Sequence, residues 1–163
     1  LGIAGLTLVI IRKDLIGQHH NNVPTLMDYA TFHEHHSAYN TPPTFVWYMM
    51  HLVLQWYQQQ GGVKAMQERN QAKAQKLYQF IDDSDFYSNR VAPEIRSEVN
   101  VPFWLADHGL NDQFLADSNA AGLKALKGHK AVGGMRASIY NAVPMAGVDA
   151  LIEFMRSFEK QHA

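Results

Sequence analysis

The stretch from Phe45 to Tyr57 constrains this chain more than any other. Phe45, Val46, Trp47, Tyr48, Met49, Met50, Leu52, Val53, Leu54, Trp56 and Tyr57 leave only His51 and Gln55 between them as polar side chains. Pro42-Pro43 precedes the stretch and Gly61-Gly62 follows it. The spacing predicts a helix over 44–60, with Thr41 as candidate N-cap, the prolines in the first turn and the glycines as the stop. Such a helix has almost no polar face, and a helix apolar all round is buried all round. A chain of 163 residues holds one ordinary domain core. Cover on every side of this helix points to a further domain half or a partner subunit.

A second segment raises the same question. Leu6-Thr7-Leu8-Val9-Ile10-Ile11, between Gly5 and Arg12-Lys13-Asp14, is a continuous, partly β-branched run. It reads as a strand buried on both faces in the sheet of an α/β protein. The residues after it supply neither neighbouring strands nor covering helices. They are polar and histidine-rich, carry Asn21, Asn22 and Pro24, and read as loop with a short strand near Leu26 to Tyr29. The run therefore looks like one strand of a sheet whose remainder lies upstream.

The rest of the chain has an order of its own. Val63 to Ile81 predicts a largely polar helix with one modest stripe, Met66, Asn70, Ala74, Leu77 and Ile81, lying on a surface as a connector. Phe86-Tyr87 and Glu98 to Leu105 read as strands. In the second, Val99, Val101 and Phe103 alternate with Asn100 and Pro102, and the proline favours an edge or a bulge. A helix is expected over Asn111 to Lys127, stopped by Gly128, then a strand over Met135 to Tyr140. An amphipathic helix over Ala146 to Gln161 closes the chain, with Val148, Leu151, Ile152, Met155 and Phe158 inward. Strand, strand, helix, strand, helix is a small α+β layer.

Composition removes several classes of function. Fourteen Lys+Arg face 15 Asp+Glu, which gives no broad basic field for nucleic acid and no polybasic membrane patch. With 47% apolar residues the chain is of globular composition. The absence of cysteine excludes disulfide scaffolds and thiolate metal sites and permits a cytoplasmic location. The apolar start, Leu1 to Ile11, is too short to span a bilayer and lacks the layout of a signal peptide. The first residue is Leu rather than Met, and a processed or truncated product is the expected explanation.

Three constellations can carry chemistry. His33-Glu34-His35-His36, with His19 and His20 upstream, offers zinc or nickel ligands. The spacing is not that of a helical metal motif, and a solvated polar loop is the plainer reading. Lys127-Gly128-His129-Lys130 followed by Gly133-Gly134-Met135-Arg136 sets two glycines, whose backbone a ligand can approach, beside cations suited to phosphate and carboxylate. A basic helix end answering the helix dipole accounts for the same residues. Tyr39-Asn40-Thr41-Pro42-Pro43-Thr44 places an Asn/Thr pair before a helix N-terminus, either as a phosphate site or as simple capping.

Taken together, Gly5-Leu6-Thr7 with Arg12-Lys13-Asp14-Leu15, Asn40-Thr41-Pro42-Pro43-Thr44, Asn100-Val101-Pro102-Phe103, Lys127-Gly128-His129 and Gly133-Gly134-Met135-Arg136-Ala137-Ser138-Ile139-Tyr140-Asn141-Ala142 resemble the phosphoserine aminotransferases, in order and along the whole chain. The resemblance implies the C-terminal part of a fold type I pyridoxal-phosphate enzyme, a cytoplasmic class V aminotransferase acting as a homodimer. It implies transfer of an amino group from glutamate to 3-phosphohydroxypyruvate, giving phosphoserine and 2-oxoglutarate, in serine biosynthesis and in the bacterial pyridoxine pathway. By the same alignment the Schiff-base lysine falls two residues ahead of Leu1, so no catalytic residue is expected within the chain.

The residues that do fall within it are carried over by motif. Asn40 and Thr41 match the pair that reaches across the dimer to the cofactor phosphate of the other subunit. His129 and Lys130 match the pair that binds the substrate phosphate, and Arg136 matches the arginine that holds the substrate carboxylate. Position 130 is usually Arg in the family. The lysine here keeps the charge and loses the planar fork. The histidine stretch at 33–36 also departs from the family and takes no role from it. Residues 1–60 are then the end of the large cofactor domain, and 61–163 a connector helix and the small C-terminal domain. Two other readings stay open: a related class V aminotransferase with another acceptor, and a non-catalytic fragment or interaction module.

Overall fold

The computed structural model describes residues 2–20 and 22–162; Leu1, Asn21 (one residue of the expected loop) and Ala163 lie outside them. The chain forms two compact units, Leu1–Gln60 and Gly61–Ala163.

In the first unit the expected strand over 6–11 carries no strand pairing, and Ile10 is 92% exposed. The sequence run is strand-like, but a strand exists only against a partner ladder, and no partner strand lies beside it among the described residues. The short strand expected at 26–29 is also replaced. Thr25–Met27 is a 3-10 turn, and Asp28 caps the helix α1 (Tyr29–Glu34) by accepting from the Ala30 amide at 2.9 Å. An aspartate one residue before a helix satisfies an amide that a strand would leave unpaired here.

Helix α2 (Thr44–Gln59) follows the expected span. Its stop is as read: the Gln60 amide bonds back to Trp56, and Gly61 adopts φ +96°. Its start differs. Pro43, not Thr41, occupies the N-cap position, and no side chain caps the helix. Each proline pushes the residue before it out of the helical region, so Thr41 and Pro42 are both held outside the first turn. No residue of α2 is buried within the described chain, and Phe45 is 65% exposed. The sequence asks for cover on every side of this helix, and the described residues do not provide it.

The second unit builds a complete core. Helix α3 (Gly62–Asp82) buries Met66, Asn70, Ala74, Leu77 and Ile81, the predicted stripe, and adds Lys73 and Tyr78. It packs against a helix α5 (Met145–His162) and against the sheet, so it is part of the core rather than a connector resting on a surface. Among the described residues the sheet has three antiparallel strands in the order β1 (Tyr87–Ser88), β2 (Asn100–Leu105), β3 (Met135–Ser138). Val101, Phe103 and Leu105 of β2, Met135 and Ala137 of β3, and Ile139 just beyond it face the helices. Val148, Leu151, Ile152, Met155 and Phe158 of α5 meet them, as the sequence period predicts. Helix α4 (Asn111–Ala120) inserts Phe114, fully buried, between the rings of Tyr87, Phe103, Phe154 and Phe158.

Pro102 sits in the central strand, where a missing N–H would ordinarily break a ladder. It is tolerated because it faces Arg136 of β3 in a pair that exchanges no backbone bonds: Ile139 donates to Val99 and Arg136 donates away from β2, to Leu126. On its other side β1 has already ended, at Ser88 opposite Trp104. The Asn89 amide group donates to the free Pro102 carbonyl. Locally, then, Pro102 does occupy an edge. No helix among the described residues is long and apolar enough to cross a membrane.

Candidate functional site

Two groups of candidate residues exist, one in each unit. In the first unit the chain leaves α1 through His36 and Ser37, both at positive φ, and reaches Asn40 and Thr41, which are exposed. A cavity of about 780 Å³ opens here, lined by Asn40, Thr41, Pro43, Thr7, Ser37 and His51 among others. Because Pro43 offers no capping side chain, the first amides of a 16-residue helix depend on another acceptor. Uncapped amides, the positive end of the helix dipole, an amide side chain and a hydroxyl together suit a phosphate. The capping reading of Thr41 is overturned, since its hydroxyl does not serve the helix.

In the second unit, residues 126–128 and 134–136 run antiparallel. The Arg136 amide donates to Leu126 at 2.7 Å, Lys127 bridges Met135, and the Gly128 amide donates to Gly134 at 2.9 Å. The loop between them is closed by the His129 carbonyl, which accepts from Val132 and Gly133 at 2.9 and 2.8 Å. The helix expected to run to Lys127 ends at Ala120, and Gly122 takes φ +87° just after it. Lys127, His129 and Lys130 therefore stand in a hairpin, and no helix dipole explains them.

His129 and Lys130 are exposed at the tip of this loop. The Ala131 amide donates to His129 Nδ1 at 3.3 Å, which leaves Nε2 as the outward donor of the neutral ring. Gly128 and Gly134 serve packing, whereas a Cβ on Gly133, at φ +74°, would meet nothing within 4 Å. A Cβ on Gly128 would stand 2.1 Å from the Gly133 carbonyl, and one on Gly134 would stand 2.6 Å from the Trp104 ring. Arg136 lies two residues into the strand that this packing positions. It is half-buried on the sheet face opposite the helices, and its Nε is buried without a hydrogen-bond partner. Among the described residues no carboxylate pairs with it. A guanidinium held in a rigid strand with a dry, unused N–H is prepared for an anion of matching fork geometry.

Among the described residues no group of metal-ligating side chains forms. His35 bonds to the Thr31 carbonyl, and His19 stands 3.2 Å from the Asp28 carboxylate. The sequence reading missed Lys73, which is 3% exposed and places Nζ 2.8, 2.8 and 2.9 Å from the carbonyls of Ile139, Tyr140 and Val143. Burial pushes its pKa below the ordinary lysine value. A signal existed, because position 73 falls within the stripe of 70, 74, 77 and 81 at helical spacing.

Comparison with known proteins resolves the class. Residues 1–151 match the class-V aminotransferase family, and the chain belongs to that family. Within it the solved structures that resemble the chain are phosphoserine aminotransferases. One, which records radiation damage of its Schiff base, is 45% identical with a TM-score of 0.93 over 99% of this chain and 45% of its own. The enzyme of Bacillus circulans subsp. alkalophilus is 41% identical with a TM-score of 0.89, over 94% of this chain and 43% of its own. The pyridoxal-phosphate-bound enzyme of Trichomonas vaginalis is 39% identical with a TM-score of 0.83, over 90% and 42%. The chain thus spans less than half the length of these structures. Its mixed helix and sheet are part of a pyridoxal-phosphate aminotransferase fold. The donor set at Asn40, Thr41 and the uncapped start of α2 fits the phosphate of that cofactor.

Proposed function

We propose that the full-length protein is a cytoplasmic, homodimeric pyridoxal-phosphate transaminase that moves an amino group from glutamate to 3-phosphohydroxypyruvate, giving phosphoserine and 2-oxoglutarate, with the serine and pyridoxine pathways as its setting. Residues 1–60 belong to its cofactor domain and 61–163 to its small domain. The cofactor, when bound, supplies the electron sink for the reacting carbon. This chain supplies grips at the two ends of the chemistry. Asn40 and Thr41 donate to the cofactor phosphate of the partner subunit, a position supported by the uncapped amides beside them. His129 Nε2 and the Lys130 ammonium take the substrate phosphate. Arg136 holds the carboxylate common to all four substrates and products, and the two-point hold orients the amino-bearing carbon. None of these residues carries the Schiff base; each binds substrate or cofactor.

The buried, unpartnered Nε of Arg136 carries this reading, because leaving it unpaired is costly unless an anion arrives. Arg136→Lys in the full-length enzyme should raise KM for glutamate and for phosphoserine alike, by an amount equivalent to about 1.5–3 kcal/mol. Unchanged kinetics for both half-reactions would remove Arg136 from the site.

A further inference from the structure

The turn that follows β3 is held by side chains of α3 rather than by the sheet. At Ile139 the ladder is half used. The Ile139 amide donates to Val99 at 2.9 Å, but the Val99 amide turns to the Ser97 hydroxyl at 3.3 Å. The Ile139 carbonyl is thereby released from the sheet, and Lys73 Nζ takes it at 2.8 Å. The same ammonium takes the carbonyls of Tyr140 and Val143, which bracket a turn closed by the Val143 amide on Tyr140 at 2.9 Å. One helical turn earlier, the Asn70 amide group donates to Asn141 Oδ1 at 2.6 Å. An ammonium has three N–H donors, and here all three end on one turn of chain.

A buried lysine with no carboxylate partner is uncommon. Apolar side chains would fill the same space between α3 and the sheet, but they could not fix Ile139, Tyr140, Asn141 and Val143 by hydrogen bonds. The fixed point lies three residues beyond Arg136, just past the end of a strand of only four residues, Met135–Ser138. At the other end of that strand Gly134 is locked against Trp104. We infer that Lys73 and Asn70 are positioning residues for Arg136: they clamp the C-terminal end of its strand, and so set the height and direction from which the guanidinium meets a carboxylate. This rests on the reading of Arg136 as the carboxylate grip.

The test is a kinetic cycle in the full-length holoenzyme, with Lys73→Met, Arg136→Lys and the double variant. Lys73→Met keeps the length of the side chain and removes its donors. It should raise KM for glutamate about tenfold, with a smaller change in kcat, since small displacements of a positioning group are expensive. In the Arg136→Lys background it should add no further rise, because the group it positions is already lost. A purely structural lysine would instead multiply its effect onto that of Arg136→Lys, and that result overturns the inference. An unchanged KM in folded Lys73→Met overturns it too. If Arg136→Lys alone leaves KM unchanged, the reading of Arg136 fails first and the inference fails with it. Where Lys73→Met does not fold, Asn70→Ala, which removes one bond to the same turn, takes its place in the cycle with the same outcomes at a few-fold rather than tenfold.

Discussion

Gly134 touches Trp104 so closely that a Cβ built on it would stand 2.6 Å from both Cδ1 and Nε1 of the indole, and 2.7 Å from the Phe103 carbonyl. Gly134 also holds φ +62°, a conformation that side-chain-bearing residues adopt at a cost. The glycine is thus required twice, by the backbone angle and by the buried ring.

Gly134→Ala should therefore destabilise the second unit by about 2–4 kcal/mol, combining left-handed strain with overpacking. The urea midpoint reads this. Trp104→Leu in the same chain should recover part of the loss and not all of it, because the Phe103 carbonyl remains in the way. A Gly134→Ala protein with the native midpoint would show that the hairpin tolerates a shift and that the Trp104 contact does not fix it.

This glycine shows what the sequence could and could not disclose. Gly133-Gly134 before a strand reads equally as room for a ligand or as a tight internal contact, because composition does not say what stands opposite. The inward face of α5 was legible residue by residue, since five apolar positions at helical spacing leave one solution. The strand at 6–11 and the short strand at 26–29 were not, for opposite reasons. The first has the right residues and no partner among those described, and pairing is a property of two segments. The second was outweighed by Asp28, whose carboxylate caps α1. The end of α4 was placed seven residues too late. Gly128 looked like the stop, while Gly122 already supplies the left-handed turn. That correction changes the site, since it takes the helix dipole away from His129 and Lys130.

Tyr87 should make the protein sensitive to alkali. Its hydroxyl donates to the Met155 carbonyl at 2.9 Å in the core. Burial, helped by the Glu159 carboxylate, pushes its pKa well above the ordinary tyrosine value. The folded state then keeps this proton at a pH where the unfolded chain has lost it. The stability Tyr87 contributes is complete below the unfolded pKa of about 10 and is lost progressively as pH rises from there through the folded pKa. Tyr87→Phe should cost about 1 kcal/mol at neutral pH and should fall less steeply above pH ~10, so the two stability curves approach each other. Parallel curves in urea melts through that range would contradict the assignment.

The exposed apolar side of α2 predicts behaviour in solution. Phe45 is 65% and Tyr48 58% exposed, with Leu54 at 45%, on a helix whose residues are apolar on nearly every side. Patches of this kind drive association. The 163-residue chain produced alone should self-associate with a strong concentration dependence in sedimentation experiments. Phe45→Ser with Tyr48→Ser should shift it toward monomer while leaving the folded second unit, and its melting transition, in place. A wild-type chain that stays monomeric at high concentration with α2 formed would show that this surface is tolerated by solvent.

The strongest functional test separates phosphate from carboxylate at His129 and Lys130. A phosphate monoester brings close to two negative charges at neutral pH, whereas the distal carboxylate of glutamate brings one. On the proposed function one site must serve both during a transamination cycle. Lys130 supplies a fixed positive charge. His129 donates through Nε2, since its Nδ1 accepts from the Ala131 amide. Removing both side chains should hence penalise the phosphorylated substrate more than glutamate. His129→Ala with Lys130→Ala in the full-length enzyme should lower kcat/KM for 3-phosphohydroxypyruvate by the equivalent of roughly 2 kcal/mol or more, and should lower that for unphosphorylated hydroxypyruvate far less. The two side chains have little structural duty in the loop: both are exposed, the backbone carbonyl of His129 closes the turn, the His129 ring only accepts the Ala131 amide at 3.3 Å, and α4 has already ended at Ala120. A melting temperature near that of the native enzyme should accompany the altered ratio. An unchanged ratio of the two kcat/KM values would take the phosphate away from this pair and would favour a family member with a different acceptor.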